Sequence, residues 1–298
     1  MREDRDGMKN ILDTMRPVTL EDRSVFELYL TRYPPQCSEM TFTNIFCWGD
    51  IKNHRFREYR GHLLVSYQRD SEPEPRFFPP LGETPQAIML ESLPGLRAYK
   101  WVGIPKDLSN HLAPKASLAF DRDSSDYYYR VEELRALKGQ AFDGKRNFVK
   151  RFARLNPTVR ALEARDAVAC IELQEQWLAH QGGGEKSAEE ETIAVKTALK
   201  HFDALPLTGV VVELGQALVA FAIGERLNAE TFVEHHEKAD RDFTGAYQYL
   251  LHALAEMIAE GSRFLNRGQD LGVPGLRKAK LSWQPAGLVG KYTLLVHS

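Results

Sequence analysis

The chain has 298 residues, 43% of them apolar, which is enough to build the cores of about two domains. Its net charge of -2 at pH 7 excludes capture of polyanions by bulk charge, so any affinity for phosphate or RNA must come from local basic patches. Three cysteines, Cys37, Cys47 and Cys170, show no CxxC spacing, which argues for free thiols in a reducing compartment and against a metal centre.

The first ten residues, MREDRDGMKN, are charged and lack the apolar stretch of a secretory signal. No uncharged apolar run approaches the roughly 18 residues of a spanning helix. The expectation is a cytoplasmic protein with no transmembrane segment. Pro17 to Leu30 reads as a short strand and a helix, with Glu21 and Asp22 in the helix's first turn, where negative charge is favoured. Met40 to Asp50 is rich in aromatics, which core packing explains better than a ligand wall. Phe56 to Gln68 and Arg76 to Phe78 read as sequential strands, Thr84 to Leu93 as a helix, and Tyr99 to Ile104 as a buried strand. The acidic, serine-containing run Asp121 to Asp126 reads as a loop, and Tyr127 to Val131 as a strand.

Lys138 to Arg160 carries seven cations against one acid, Asp143. From Gly144 it has helical spacing: Asn147, Lys150, Arg151 and Arg154 share one face, and Phe148, Phe152 and Leu155 the other. Such a face can grip phosphates, through Lys145, Arg146, Asn147, Lys150 and Arg151, or can simply be solvated. Within it, Gly139 to Arg146 imitates a nucleotide P-loop but has Arg146 in place of the metal-binding hydroxyl, and it follows a helical pattern, so that reading is rejected.

After Pro157 the opening recurs. RPVTLEDRSVF from Arg16 and TVRALEARDAVACI from Thr158 both run strand, charged cluster, amphipathic helix, about 142 positions apart. This suggests two related domains, 1–156 and 157–298. Gly182 to Gly184 reads as a loop, followed by a helix through Val195 and Phe202. Leu207 to Glu213, Leu218 to Glu225 and Thr231 to His235 are strands whose short connections predict antiparallel pairing. Gly245 opens an amphipathic helix that Gly261 caps, and Tyr292 to Val296 supplies a last strand. Between them, Arg263 to Trp283 runs from a buried strand (Phe264, Leu265) into Asn266, Arg267, Gln269 and Asp270, then a glycine-rich turn and a basic helix with Lys278 and Lys280. A strand ending in polar groups beside a glycine turn and a helix start is a common site architecture.

The second half's order resembles the acyltransferase fold of the GCN5-related N-acetyltransferase (GNAT) type. Six pieces resemble, more narrowly, the bacterial family related to the C-terminal domain of phosphatidylglycerol lysyltransferase. They are FTNIFCWGD from Phe42, FFPPLG from Phe77, KGQAFDGKRNFVKRF from Lys138, VEHHEKAD from Val233, GAYQ from Gly245 and NRGQDLGVPGLRKAKLSW from Asn266.

The resemblance implies an α+β chain of two tandem acyl-CoA N-acyltransferase-like (GNAT) domains, each a mostly antiparallel mixed sheet flanked by helices, similar to Fem-type aminoacyl transferases. It implies an acyl or aminoacyl transferase. The donor is aminoacyl-tRNA or acyl-CoA, with no covalently bound cofactor, and the acceptor is a small molecule, a peptide or a lipid headgroup. In that fold the sheet splays between its fourth and fifth strands, and the donor's phosphates sit on the next helix N-terminus, here at Thr244 and Gly245. Thr244 stands where the usual donor signature has its first glycine, which argues against ordinary acetyl-CoA use.

Transfer to an amine or hydroxyl needs a proton acceptor, an oxyanion stabiliser and an aligned donor. Asp270 is the first choice for the base, in a polar hollow beside the turn, with Glu234 and Glu237 as rivals. Asn266, Arg267, Gln269, Lys278 and Lys280 are the substrate-binding candidates. Each carboxylate could instead only pair with an arginine. The rival functions are a non-catalytic phosphate- or RNA-binding module that keeps the fold, and an acyl-CoA-dependent N-acetyltransferase.

Overall fold

The computed structural model describes residues 11–93, 99–180, 186–258 and 261–295. The N-terminal run MREDRDGMKN, the glycines Gly182 to Gly184 and Val296 lie outside the described residues. The first strands in chain order are β1 (Arg16–Pro17), β2 (Arg55–Tyr59), β3 (His62–Tyr67), β4 (Arg76–Phe77), β5 (Lys100–Trp101), β6 (Ile104–Pro105) and β7 (Leu118–Arg130). They are followed by β8 (Thr158–Ala161), β9 (Thr208–Leu214), β10 (Ala217–Arg226), β11 (Thr231–Ala239), β12 (Phe264–Asn266) and β13 (Gly287–Leu294).

One compact unit takes the chain up to Asp126, the turn Gln269–Gly272 and the residues from Val289 onward. Strands β1 to β5 form a sheet in that order, antiparallel except for the parallel pair β4–β5. Leu64, Phe77, Met89, Tyr99 and Trp101 fill its core. The aromatic run from Met40 is a helix, Phe42–Cys47, whose start is capped when the Asn44 N–H donates to Thr41 Oγ1 at 3.0 Å. Phe42 and Ile45 are buried, and Phe42 packs against Phe26 at 5.3 Å between rings, so this segment is core as expected. The single strand expected over Tyr99 to Ile104 is broken into β5 and β6, with Gly103 at φ +66° between them.

The acidic run Asp121 to Asp126, expected as a loop, lies inside β7. Its polar groups are satisfied internally. Asp126 is fully buried, accepting from Lys291 and from the Ser38 backbone, and Ser125 Oγ donates to the Asp121 carbonyl at 2.6 Å. Burying a charge is costly unless it is paired, and here a lysine pairs it.

The second compact unit takes Tyr127–Gly268 and Val273–Leu288. Its strand order is β7-β12-β11-β10-β9-β8, antiparallel except where β12 runs parallel to β11. Helices Ala167–His180, Lys186–Lys200 and Ala246–Met257 flank the sheet, and Leu250, Leu251 and Leu254 pack the last onto the core. The element order is the one the sequence led us to expect, and the architecture is α+β.

The basic helix, Asp143–Ala153, belongs to this second unit rather than to a first domain ending at 156. Phe152 is fully buried there, 5.0 Å from the Tyr249 ring on the long helix. Phe148 and Leu155, expected on its inner face, are exposed.

The recurrence seen in the sequence has a structural counterpart. Arg16 pairs with Asp22, whose carboxylate accepts the Thr19 N–H at 2.9 Å. Arg160 pairs with Asp166, whose carboxylate accepts the Glu163 N–H, also at 2.9 Å. The short strands β1 and β8 are therefore each tied by an arginine to the first turn of the following helix.

Candidate functional site

Strand β12 pairs with β11 through three positions only, ending at Val233 and Asn266. Beyond that point β11 continues to Ala239 without it. The sheet of this unit parts there. Glu234 is the first residue of β11 past the pairing, and Arg267 the first past β12.

Arg267 fills the parting. Its Nε donates to Glu234 Oε2 at 2.5 Å, and a terminal nitrogen donates to Glu237 Oε1 at 2.5 Å. The guanidinium is 8% exposed and lies 5.7 Å from the Tyr129 ring centre. Lys280 Nζ, mostly buried, donates to the Arg267 carbonyl, and Tyr129 Oη donates to the Lys280 carbonyl at 2.9 Å. Lys145 donates to Ser282 Oγ at 2.6 Å and lies 4.6 Å from the Trp283 ring. Burial, then the charge of Arg267, holds the Lys145 ammonium below its ordinary range.

Two glutamates three positions apart should point to opposite faces of a regular strand. A register shift at Ile223–Gly224 places one extra residue in β11, around His235, and restores both carboxylates to one side. Gly224 permits it: a Cβ there would sit 2.1 Å from the Val233 carbonyl oxygen. His235 Nε2 pairs with Glu225 at 2.7 Å, whereas His236 Nδ1 lies 3.9 Å from Glu191 Oε1.

The electrostatics of the parting are unusual. Glu234 Oε1 and Glu237 Oε2 are buried and meet no protein donor among the described residues. Burial pushes the Glu237 carboxyl up to about 7, with Arg267 opposing and Glu234 reinforcing the rise. One proton held between the two carboxyls would satisfy both orphaned oxygens. The arrangement is one cation, two carboxyls and one proton that comes and goes near neutrality, which is the equipment of general acid–base chemistry.

Asp270, the expected base, lies elsewhere and is closed off. It belongs to the first unit and has no exposed surface. Its Oδ2 accepts from Arg122 at 3.1 Å and its Oδ1 from the Gly272 N–H at 2.9 Å. The carboxylate shapes the turn. Gln269 donates to Glu39 Oε1 at 2.6 Å, and buried Asn266 accepts the Gly268 N–H at 2.8 Å. Lys278 is exposed.

The phosphate-binding candidates divide in the same way. Arg146 donates to the Leu137 and Gly139 carbonyls and pairs with Asp143, closing the preceding turn. Asn147, Lys150, Arg151 and Arg154 are exposed on the basic helix. Thr244 is exposed, but Gly245 is buried at φ +97°, and a Cβ on it would lie 2.7 Å from the Phe148 carbonyl oxygen. The basic helix thus packs tightly over the start of Ala246–Met257, where the resemblance put donor phosphates.

Tyr129 was legible only as a strand residue, and nothing in its spacing marks it as the floor beneath Arg267. The signal that could have found the site is Gly224, a lone glycine after the apolar run Ala217 to Ile223 of a strand, which points to a bulge.

Residues 30–295 match the family described as phosphatidylglycerol lysyltransferase, C-terminal. The chain belongs to that family. A conserved protein of unknown function from Bacteroides thetaiotaomicron VPI-5482 is 27% identical, with a TM-score of 0.87 over 95% of this chain and 99% of that one. The L-PGS of Bacillus licheniformis shares the fold at 14% identity, with a TM-score of 0.65 over 92% of this chain and 91% of its own. An uncharacterized protein of Mycoplasmoides gallisepticum (strain R(low / passage 15 / clone 2)) is 24% identical over 217 residues, 71% of this chain. The chain spans 66% of that curated relative's length, short of two thirds. Membership in the lysyltransferase family fits the α+β architecture of tandem GNAT-like folds. No helix among the described residues is long and apolar enough to cross a membrane.

Proposed function

We propose that this chain is an acyl or aminoacyl transferase whose proton-handling centre is Glu234–Arg267–Glu237. The observation that carries the reading is the Glu237 carboxyl, poised near neutrality in the parting between β11 and β12. In the reaction, the acceptor nitrogen or oxygen attacks the donor carbonyl and gives its proton to Glu237. The carbonyl carbon's bond to the donor's leaving oxygen or sulfur then breaks, and Glu237 returns the proton to that leaving group. Arg267 stays charged throughout and holds the two carboxyls in place.

Family membership supports an aminoacyl group as cargo, with aminoacyl-tRNA as donor. The closed helix start at Gly245 disfavours acyl-CoA, and the exposed Lys150, Arg151 and Arg154 offer a face for RNA phosphates. The acceptor is an amine or hydroxyl on a small molecule, peptide or lipid headgroup. The same exposed cations support a second reading, an RNA-binding module without transfer.

The test incubates the chain with a set of radiolabelled aminoacyl-tRNAs and with amine, peptide and phospholipid-vesicle acceptors. Transfer is expected, with Glu237→Gln lowering kcat about 10²-fold or more while tRNA retention stays unchanged. Retention of tRNA without transfer to any acceptor class would favour the second reading and sink the first.

A further inference from the structure

The first unit has a cavity of about 340 Å³, within the size range of small-molecule sites. Its lining has a charge order that runs from a buried end to an exposed end. At the buried end Lys291, with no exposed surface, pairs with Glu39 and Asp126, each at 2.5 Å. One cation between two carboxylates leaves a surplus negative charge, and Glu39 carries it to the cavity wall. Asp121 adds another to the lining. Its Oδ1 accepts the Ser124 N–H at 3.0 Å, and no protein donor reaches its other oxygen among the described residues.

The exposed end is cationic. Arg76 and Lys100 line it, 37% and 45% exposed, each tied to a carboxylate, Glu72 at 3.0 Å and Glu74 at 3.2 Å. Only the cation of each pair is well exposed, so Arg76 and Lys100 can share an incoming anion while keeping the carboxylates they already hold. Tyr67 and Phe78 also line the cavity, their rings 5.1 Å apart, an aromatic surface suited to methylenes.

We infer that this cavity binds a small zwitterion, its ammonium on Asp121 and Glu39 and its carboxylate or phosphate on Arg76 and Lys100. A plain anion would face the surplus negative charge at the inner end. A plain amine would leave the outer cations unanswered. The inference rests on the first unit alone and stands whether or not the transfer reaction does.

Calorimetric titration of the full chain tests it with 4-aminobutyrate, 6-aminohexanoate and phosphoethanolamine, and with hexanoate and hexylamine as half-ligands. At least one zwitterion is expected to bind tenfold or more tighter than both half-ligands. A preference for phosphoethanolamine identifies phosphate as the anionic end, and a preference for the amino acids identifies carboxylate. Asp121→Asn should weaken the zwitterion about tenfold and leave hexanoate and the melting temperature unchanged. Arg76→Gln with Lys100→Met should weaken it equally and leave hexylamine unchanged. The inference is overturned if a half-ligand matches the zwitterions, if neither variant changes their affinity, or if the folded chain binds none of them at about 10 mM.

Discussion

Arg267 reaches Glu234 and Glu237 at once, although three positions separate the two glutamates on one strand. A guanidinium can answer one carboxylate charge in full, and the second must be neutralised by a proton or remain as a surplus in the parting. Burial first, and then the Glu234 charge, push the Glu237 carboxyl up to about 7 against the opposing pull of Arg267.

Stability should follow the sign of that shift. The folded Glu237 pKa lies above the unfolded value of about 4.3, so the folded chain holds the extra proton between the two. Its contribution is fully present below about pH 4.3 and is lost as pH rises through 7. Side-chain exposure of 25% lets water share the charge and keeps the loss to roughly 1–3 kcal/mol. Urea unfolding at pH 5, 6, 7 and 8 should show wild type losing ground relative to Glu237→Gln as pH rises. Parallel curves for the two proteins would refute the shared proton.

Removing the cation should cost more than removing either acid. Arg267→Met leaves two buried carboxyls with only the weaker pull of Lys280 to answer them, a loss of about 3–5 kcal/mol. Glu234→Gln leaves the arginine paired with Glu237 and should cost less than half as much. Denaturant midpoints measure both, and an Arg267→Met variant no weaker than Glu234→Gln would show that the guanidinium does not hold the parting together.

Much of the fold was legible because period and punctuation agree. The helix from Ala246 shows its apolar face in Leu250, Leu251 and Leu254, and β9 to β11 are joined by connections too short for anything but antiparallel pairing. The site was less legible because its chemistry depends on pairings across the chain. Asp270 looked like a base from its position at a strand end, but Arg122, well over a hundred residues upstream, claims its carboxylate. Asp121 to Asp126 looked like a loop because sequence composition cannot show that Lys291 will neutralise Asp126. Glu237 was a candidate, yet alternation set it opposite Glu234 until the bulge at His235 turned it round.

That bulge can be tested at Gly224. A methyl there would meet the Val233 carbonyl oxygen, a backbone atom that cannot swing away, at 2.1 Å and the Phe232 ring at 2.5 Å. Gly224→Ala should therefore cost about 1–3 kcal/mol and shift the register of β11. The sharper readout is the pH profile. If the bulge places Glu237 beside Glu234, Gly224→Ala should flatten the stability loss between pH 5 and 8 as Glu237→Gln does. A destabilised variant with the wild-type pH profile would separate the bulge from the pairing.

The repeated arginine–aspartate clasp makes the last prediction. Arg160, and to a smaller degree the Glu163 N–H, hold the Asp166 carboxyl below its ordinary range against the effect of burial. At Asp22 burial is the largest influence, but Arg16 and Thr19 together outweigh it and lower that carboxyl too. A depressed folded pKa adds stability above the unfolded value of about 3.9, and that stability is lost as pH falls through the folded value. Asp166→Asn removes the charge from two guanidinium hydrogen bonds at a mostly buried position and should cost about 1–3 kcal/mol. Asp22→Asn should cost a similar amount, because Arg16 makes the same two-point contact there. Unfolding at pH 7 and pH 3 discriminates: both variants should be weaker than wild type at pH 7, and the gap should narrow at pH 3. A gap that persists undiminished at pH 3 would mean that the clasps act through shape alone and not through charge.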